Sequence, residues 1–302
     1  MSAGVDILAA ARRRWPWVLL AVATLVAWAG WWLSAPFRGT AFSQAPAGGI
    51  HKMQGAAWHP ERGDLLFVAV IGSDARNGPP DAGGGCDAIH IVAINPQQRA
   101  GTILNFPRDS YLNGRKLTDI CRQAGFDGAI GVLKSHTGLP VQYLVRTEFS
   151  HFMRVINDIG GIDVDVPFPM NDTNSGAVFP AGPRHMLGGE ALAFSRNRHI
   201  GGGDFKRTEH QGLVLLSVLQ KFRADTVNIH NMLTYLRAAR RNIGFNIPLA
   251  DLMKLGLLAR DIDPANIKNV TIPGSTGNVG GASVVFVNPG DIYSRVRDDA
   301  IY

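Results

Sequence analysis

Along this chain, segments whose hydrophobic residues are spaced as in strands are interspersed with segments whose hydrophobic residues are spaced as in helices. Residues 65–71, 88–94 and 101–106 are apolar runs that end at polar or turn-forming residues, a pattern typical of strands buried on both faces. Other segments show alternation or helical spacing, and they predict strands at 141–145 and 162–166 and helices at 127–137, 149–159, 189–198, 205–223, 229–240 and 249–259. Strands and helices mixed in this way predict a central sheet with helices on both faces.

The N-terminal part of the chain carries a membrane-spanning pattern. Residues 17–35 contain no charged side chain, and as a helix they would span about 28 Å, close to the thickness of a bilayer core. Arg12, Arg13 and Arg14 precede this stretch, so the positive-inside rule keeps the N-terminus cytoplasmic. A cleaved signal peptide is the alternative, but no small-x-small site precedes Pro36. We therefore predict a cytoplasmic N-terminus (1–16), a single-pass anchor (17–35), a linker (36–64) and an extracytoplasmic catalytic domain (65–302) with an irregular tail from residue 271.

The predicted topology determines which partners the net positive charge can indicate and whether the two cysteines can form a disulfide. A net charge of +6 is compatible with nucleic acid, an anionic membrane surface or phosphorylated substrates as partners. DNA binding would need the basic domain inside the cell, so export excludes nucleic acid. Cys86 and Cys121 lie in a compartment that permits disulfides, and we predict that they pair. Two buried or free thiols are the alternative.

Carboxylates and an arginine interrupt the apolar pattern where the predicted strands begin and end. Asp74 follows the first strand, Asp87 opens the second, and Arg108 follows the third. Strand ends are where α/β sheets usually build their sites. Two carboxylates from neighbouring strands could hold one Mg²⁺, although either alone is more often a turn-capping or solvated residue.

A second polar cluster is basic. Arg196 and Arg198 precede a helix whose proposed N-cap is Asp204, and Arg207 and Gln211 share one face of that helix because they are four residues apart. Arginines are often plain surface charges. Guanidinium groups are nevertheless the preferred ligands of phosphate oxygens, because they bind two oxygens at once. The carboxylates and arginines together suit a diphosphate bridged to a metal ion.

The ordered set of these landmarks is more specific than any one of them. The landmarks are residues 72–76, 87–89 and 106–110, Lys116, residues 158–164, the pair Arg196 and Arg198, and residues 203–211. In this order and spacing, residues 65–219 resemble the LytR-CpsA-Psr family of bacterial wall glycopolymer ligases.

The resemblance implies an extracytoplasmic phosphotransferase that is a three-layer α/β/α sandwich with a central mixed sheet. Such enzymes take a glycopolymer from a polyprenyl-diphosphate carrier in the cytoplasmic membrane and join it to a muramic acid hydroxyl of peptidoglycan. Carried over, Asp74 and Asp87 would hold Mg²⁺. The diphosphate would be bound by Arg108, Arg196, Arg198 and Arg207, assisted by Lys116 and Gln211, and Arg76 would replace the arginine that the family often has at the position of Gly85.

The resemblance also assigns catalytic roles to Asp74, Arg108 and Arg207. The arginines would stabilise charge on the phosphoryl oxygens, and Asp74 is the best candidate for the base, although a metal ligand is poorly suited to both roles. The chain departs from the family at Gly85, where an arginine is common, and at His210, where Arg or Gln is common. A polyprenyl-diphosphate hydrolase and a non-enzymatic lipid-binding or regulatory envelope protein are the alternative functions.

Overall fold

The computed structural model of the protein describes residues 49–74, 84–198, 201–227, 231, 235 and 244–302. The predicted anchor (17–35), Arg76 and nearly all of the predicted helix at 229–240 lie outside these residues. Within the described ranges, no helix is long and apolar enough to cross a membrane.

A mixed seven-stranded sheet forms the centre of the fold. The described residues form the strands β1 (Gly49–Lys52), β2 (Leu66–Ser73), β3 (Cys86–Asn95), β4 (Ala100–Asn105), β5 (Tyr111–Leu112), β6 (Arg115–Lys116), β7 (Tyr143–Glu148), β8 (Ile162–Val166), β9 (Met170–Asp172), β10 (Ala177–Phe179), β11 (Gly182–Met186), β12 (Gly244–Asn246), β13 (Ile267–Thr271), β14 (Gly274–Val279) and β15 (Ala282–Val287). The order in the sheet is β12-β1-β7-β2-β3-β4-β13. β2 pairs antiparallel with β3 and parallel with β7, so the start of β3 and the ends of β2 and β7 lie at one edge.

Helices cover both faces of this sheet. They are α1 (Leu117–Thr137), α2 (Phe149–Asp158), α3 (Gly188–Arg196), α4 (Gly203–Asp225), α5 (Leu249–Asp261) and α6 (Ile292–Asp299). Alternate strand residues such as Ile71 and Ile91 pack against α1 and α6. Their neighbours Val68 and Val92 pack against α4 and α5 on the opposite face. A separate apolar cluster joins α2, α3 and β8–β11 to Val214 of α4. The predicted mixed sheet between two helical layers is therefore confirmed.

Two predicted boundaries are wrong. The described part of the predicted linker (36–64) belongs to the fold, because β1 pairs with β7 and β12, and Trp58 is 3% exposed and packs edge-on against Tyr143. The predicted irregular tail contains the β14–β15 hairpin and α6. The glycines and short polar side chains of β14 hide its period in the sequence, and α6 is anchored by only a few apolar residues, among them Ile292 and Val296.

Candidate active site

An irregularity between β2 and β3 determines where Asp87 points. Gly72 lies opposite Ala88 and Ser73 lies opposite Cys86, so Asp87 is an extra residue in the ladder, as in a β-bulge. Cys86 is buried in the core beneath α1, whereas Asp87 and Ala88 line a cavity on the other face. The bulge therefore turns the Asp87 carboxylate away from the core and into the cavity.

A disulfide holds the strand immediately before this bulge. Cys86 is bonded to Cys121 of α1, and their Cα atoms are 5.7 Å apart, within the range that disulfides require. Both residues belong to the buried cluster between the sheet and α1. This is the pairing that the sequence predicts, and it ties the first residue of β3 to the helix behind the sheet.

The cavity has a volume of about 310 Å³ and lies between the sheet and helices α2, α3 and α4. Its walls combine an apolar part with a group of charged side chains. The apolar residues are Val70, Ala88, Phe149, Phe152, Leu192, Val214 and Leu215, and the basic residues are Arg196, Arg198 and Arg207. A ligand with an anionic end and a hydrocarbon end matches this distribution.

Arg207 is the buried cation of the cavity. Its side chain is 2% exposed and forms an ion pair with Asp204, one turn earlier in α4. Nη2 is the atom that pairs with Asp204, whereas Nε of Arg207 has no hydrogen-bond acceptor among the described residues. Burial and the positive charge of Arg198 lower the pKa of Arg207 to about 10, although Asp204 and Asp87 oppose this shift, and the group remains cationic at neutral pH. An unpaired, buried guanidinium donor of this kind favours an anionic ligand.

Asp87 contacts two arginines, of which Arg198 lines the cavity and Arg108 does not. Arg108 Nη1 donates to Asp87 Oδ1 at 2.5 Å, and Arg198 Nη2 lies 4.0 Å from the same oxygen. Burial opposes the charge on Arg108, but the carboxylates of Asp87, Asp109 and Asp204 outweigh it and raise the pKa. Gln211 Nε2 donates to the Asp87 and Ser195 carbonyl oxygens, which fixes the side chain of Gln211 between β3 and α3.

The structure brings most of the predicted site residues together. Those that line the cavity are Asp87, Arg196, Arg198, Arg207 and Gln211. Arg108 reaches the group through Asp87, and Arg196 lies over the ring of Phe149 at 5.3 Å. Asp74 follows β2 at the same edge of the sheet, where its backbone N–H donates to Gly85 O at 3.2 Å.

Lys116 is not part of this group. Its Nζ lies 3.4 Å from Asp109 Oδ1, and its side chain lines a second groove between the β5–β6 and β14–β15 hairpins. The predicted contact between Lys116 and the diphosphate is therefore not supported by its position. Sequence spacing could not resolve this, because the turn after Arg108 sends Asp109 and Lys116 away from the cavity.

Sequence reasoning missed several buried polar residues that line the cavity, among them His90 and Glu148. His90 of β3 is 1% exposed, and its Nδ1 lies 2.7 Å from Asn105 Oδ1. Glu148, at the end of β7, has a raised pKa because it is buried. Both residues follow or interrupt apolar strands, a position in which a polar side chain is usually a satisfied core residue. The predicted N-cap role of Asp204 is wrong, because Asp204 lies in the first turn of α4 and pairs with Arg207.

His210 gives a testable dependence of stability on pH. Its ring stacks on Phe194, with centroids 4.9 Å apart, and burial lowers its pKa to about 4. Between pH 6.5 and 4 the unfolded chain binds more protons than the folded chain, so acid destabilises the fold. Wild type should lose stability between pH 7 and pH 5. We expect this loss to be smaller in His210→Gln, by on the order of 1–2 kcal/mol. Urea denaturation at the two pH values measures this, and an unchanged pH dependence would contradict it.

Sequence and structure comparisons identify relatives of this chain. TagV of Bacillus subtilis, named as a polyisoprenyl-teichoic acid–peptidoglycan teichoic acid transferase, is 26% identical over 220 residues, which cover 68% of this chain and 56% of that protein. TagU of Bacillus cereus (strain AH820), which has the same description, is 26% identical over 222 residues, 70% of each chain. The chain thus spans little more than half the length of TagV.

The fold agrees with these matches. The crystal structure of B. subtilis TagV superposes with a TM-score of 0.67 at 25% identity and covers 78% of this chain and 95% of that one. The LytR_cpsA_psr family model matches residues 42–299, which include β1 and α6. The chain therefore belongs to the LytR_cpsA_psr family.

Proposed function

We propose that the chain is an extracytoplasmic phosphotransferase that moves a glycopolymer from a polyprenyl-diphosphate carrier to peptidoglycan. The observation that carries this proposal is the buried guanidinium of Arg207, whose Nε has no acceptor among the described residues and which lies at the edge of an apolar cavity. A prenyl diphosphate has the matching chemistry, with phosphate oxygens for the arginines and a hydrocarbon chain for the apolar walls. The names of TagV and TagU support transfer to peptidoglycan.

The three arginines Arg207, Arg198 and Arg108 would contribute differently to binding of the diphosphate. Arg207 is held by Asp204 and has little freedom to move, so it provides a preorganised fork for phosphate oxygens. Arg198 is 41% exposed and lies at the open side of the cavity, close to Asp87. Arg108 is oriented by the same carboxylate. Two arginines that share one carboxylate can turn their remaining N–H groups toward a bound anion.

The reaction breaks the phosphoanhydride bond of the donor and forms a phosphoester bond to the acceptor. A hydroxyl of the acceptor sugar attacks the phosphorus that carries the glycopolymer, the bond from this phosphorus to the bridging oxygen breaks, and polyprenyl phosphate leaves with the electron pair. Charge on the phosphoryl oxygens increases, and the fixed arginines stabilise it. A base at the open side accepts the hydroxyl proton, and Asp74 at the end of β2 is our candidate for it.

Asp74 and Asp87 fit a Mg²⁺ ion. They follow and open adjacent strands at one edge of the sheet, and Mg²⁺ in phosphate sites usually has one or two protein carboxylates, with phosphate and water as its other ligands. Among the described residues there is no cluster of three or more His, Cys, Asp or Glu side chains that could hold a metal. Two carboxylates with substrate phosphates are therefore the donor set we propose. When bound, Mg²⁺ would neutralise charge on the diphosphate.

Localisation follows from the predicted topology. The disulfide between Cys86 and Cys121 supports export, because disulfides are rare in the reducing cytoplasm. The basic residues 12–14 and the uncharged stretch at 17–35 support a single-pass anchor with a cytoplasmic N-terminus. The domain would then act at the outer face of the cytoplasmic membrane, where the prenyl carrier and peptidoglycan are both within reach.

The deciding experiment supplies full-length protein in detergent with a radiolabelled prenyl-diphosphate glycan and peptidoglycan oligomers. We expect label in the peptidoglycan fraction through an acid-labile phosphodiester. Release of label to water alone, equal with and without peptidoglycan, would indicate the hydrolase instead. Binding of the donor without any product would indicate the non-enzymatic lipid-binding alternative.

Arg→Lys substitutions test the anion site. Lysine keeps the charge but loses the fork that binds two oxygens. We expect Arg207→Lys to weaken donor binding by about 100-fold and Arg198→Lys by about tenfold, because buried charge-assisted hydrogen bonds contribute more than exposed ones. Arg115→Lys is the matched control, since Arg115 lines the second groove. Equal donor affinity in all three variants would place the anion site elsewhere.

A further inference from the structure

A chain of side-chain hydrogen bonds fixes the protonation of His90. Asn269 Nδ2 donates to the backbone oxygen of Glu209 at 2.9 Å, so Asn269 Oδ1 is free to accept and receives Asn105 Nδ2 at 2.6 Å. Asn105 then presents Oδ1 to His90 Nδ1 at 2.7 Å. Because the Glu209 carbonyl can only accept, each amide in the chain has one possible orientation. His90 therefore carries its proton on Nδ1, and Nε2 holds a lone pair.

This chain is tightly packed against α4. A Cβ atom on Gly212 would lie 2.9 Å from Asn105 Oδ1 and closer still to Asn269, so glycine is required for the helix to approach the two amides. The four elements β3, β4, β13 and α4 are joined through His90, Asn105 and Asn269. The imidazole ring consequently cannot turn over without breaking the chain, and Nε2 is the ring nitrogen that remains for a ligand.

His90 lies on the apolar side of the cavity. Val70 and Ala88, its neighbours on the same face of the sheet, line the cavity with it, and so do Val214 and Leu215 of α4. The prenyl group of a bound donor would occupy this part, so the phosphate attached to the prenyl group would be the one nearest to His90. The attacking hydroxyl must approach from the opposite side, in line with the leaving oxygen.

We propose that His90 binds the prenyl-linked phosphate, the leaving group of the reaction, by sharing one proton between Nε2 and a phosphate oxygen. This inference rests on the proposed function and assigns a role that the other cavity residues do not supply. A lone pair on Nε2 repels a phosphate oxygen, so close contact requires a proton between them. The proton enters from solvent when the donor binds, and no other reactant is needed.

The proton would also assist the departure of polyprenyl phosphate. As the bond from phosphorus to the bridging oxygen breaks, the electron pair and its negative charge pass to the leaving phosphate. A hydrogen bond from the imidazolium Nε2–H to that phosphate stabilises this charge, and the proton returns to solvent when the product dissociates. Asn105 keeps the ring aligned throughout, because Nδ1–H stays bonded to its oxygen.

The charges around His90 make the uptake of a proton by its ring depend on ligand binding. Burial and the charge of Arg207 lower the pKa of His90 to about 4, although its bond to Asn105 opposes the shift, so the ring is neutral at pH 7 without a ligand. The other charged groups that line the cavity are Asp87, Glu148, Asp172, Arg196 and Arg198. A diphosphate adds negative charge beside Arg207 and His90, which favours the imidazolium.

Titration calorimetry measures how many protons the protein takes up when the ligand binds. Full-length protein in detergent is titrated with farnesyl diphosphate between pH 6 and 8, in pairs of buffers that differ in ionisation enthalpy. We expect wild type to take up as much as one proton more than His90→Gln, whose amide N–H reaches the phosphate without a proton from solvent. His210→Gln is the matched control, because His210 is equally buried but stacks on Phe194 outside the cavity lining, and it should behave as wild type.

The outcomes separate this inference from the proposed function. If farnesyl diphosphate binds wild type and His90→Gln with equal proton uptake at every pH, the proton-sharing role is wrong while the anion site stands. If wild type does not bind the probe, both proposals are wrong. Imidazole ¹⁵N spectra add a test without ligand. His90 should show a protonated Nδ1, and a protonated Nε2 in the free protein would overturn the inference.

Discussion

Replacing Asp87 by asparagine should reduce transfer to peptidoglycan about 1,000-fold while the domain stays folded, because a preorganised charge is lost at the reacting centre. Asparagine has the same size as aspartate and can still accept a hydrogen bond from Arg108. It cannot balance the positive charges of Arg108 and Arg198, which converge on Asp87 Oδ1, nor serve as an anionic metal ligand. Initial rates with the labelled donor, together with the thermal unfolding midpoint, separate the chemical loss from loss of structure.

Asp109→Asn is the matched control for this variant. Asp109 follows β4, directly after Arg108, and is also part of an ion pair, but its partner is Lys116 in the second groove. We expect Asp109→Asn to retain transfer within about threefold of wild type, as is usual for a partly exposed pair. A chelator should reduce wild-type activity to the level of Asp87→Asn. Full activity of Asp87→Asn with EDTA present would contradict both the electrostatic role and the metal role.

The strands that carry the site were predictable because burial on both faces leaves a simple pattern. β2, β3 and β4 have long apolar runs, and their predicted bounds differ from the observed ones by two residues at most. α1 begins ten residues before its predicted start at residue 127. The prediction missed the first part of this helix because Gly125 adopts a positive φ of 65° and divides the helix into two pieces. Helical periodicity is lost across such a break, and only the C-terminal piece is evident in the sequence.

The site was predictable as a set of residues but not as an arrangement. Arg196, Arg198 and Arg207 line one cavity as expected, since they flank the start of one helix. The bulge at Asp87 depends on a register between two strands, which one sequence does not encode in any local pattern. His90 could not be distinguished from a core histidine, because its partner Asn105 and the next amide of the chain, Asn269, lie on other strands, 15 and 179 residues away by numbering.

The second large effect is expected when the disulfide is removed. Cys86 and Cys121 close a loop with a sequence separation of 35 residues, for which chain entropy predicts a contribution of roughly 3–4 kcal/mol to the free energy of unfolding. A double variant, Cys86→Ser with Cys121→Ser, should lose about this much stability, measured by urea denaturation. Wild type treated with a reductant should approach the double variant, whereas the reductant should leave the double variant unchanged.

The same variant should lose activity under conditions in which it is still folded. Cys86 is the residue immediately before the bulge, and the disulfide attaches it to a buried turn of α1. Without that attachment the start of β3 loses its covalent link to α1 and is held by its ladder to β2 and by the bonds of Asp87 to Arg108 and Gln211. Gly84 and Gly85, which precede it, offer little resistance to motion. A displacement of Asp87 by about 1 Å is enough to reduce a rate by up to 100-fold, because the orientation of reacting groups is lost. Transfer is therefore compared at 20 °C with and without reductant, in wild type and in the double variant. Equal rates in all four samples would mean that the noncovalent contacts of β3 are enough to position Asp87 and that the disulfide contributes only to global stability.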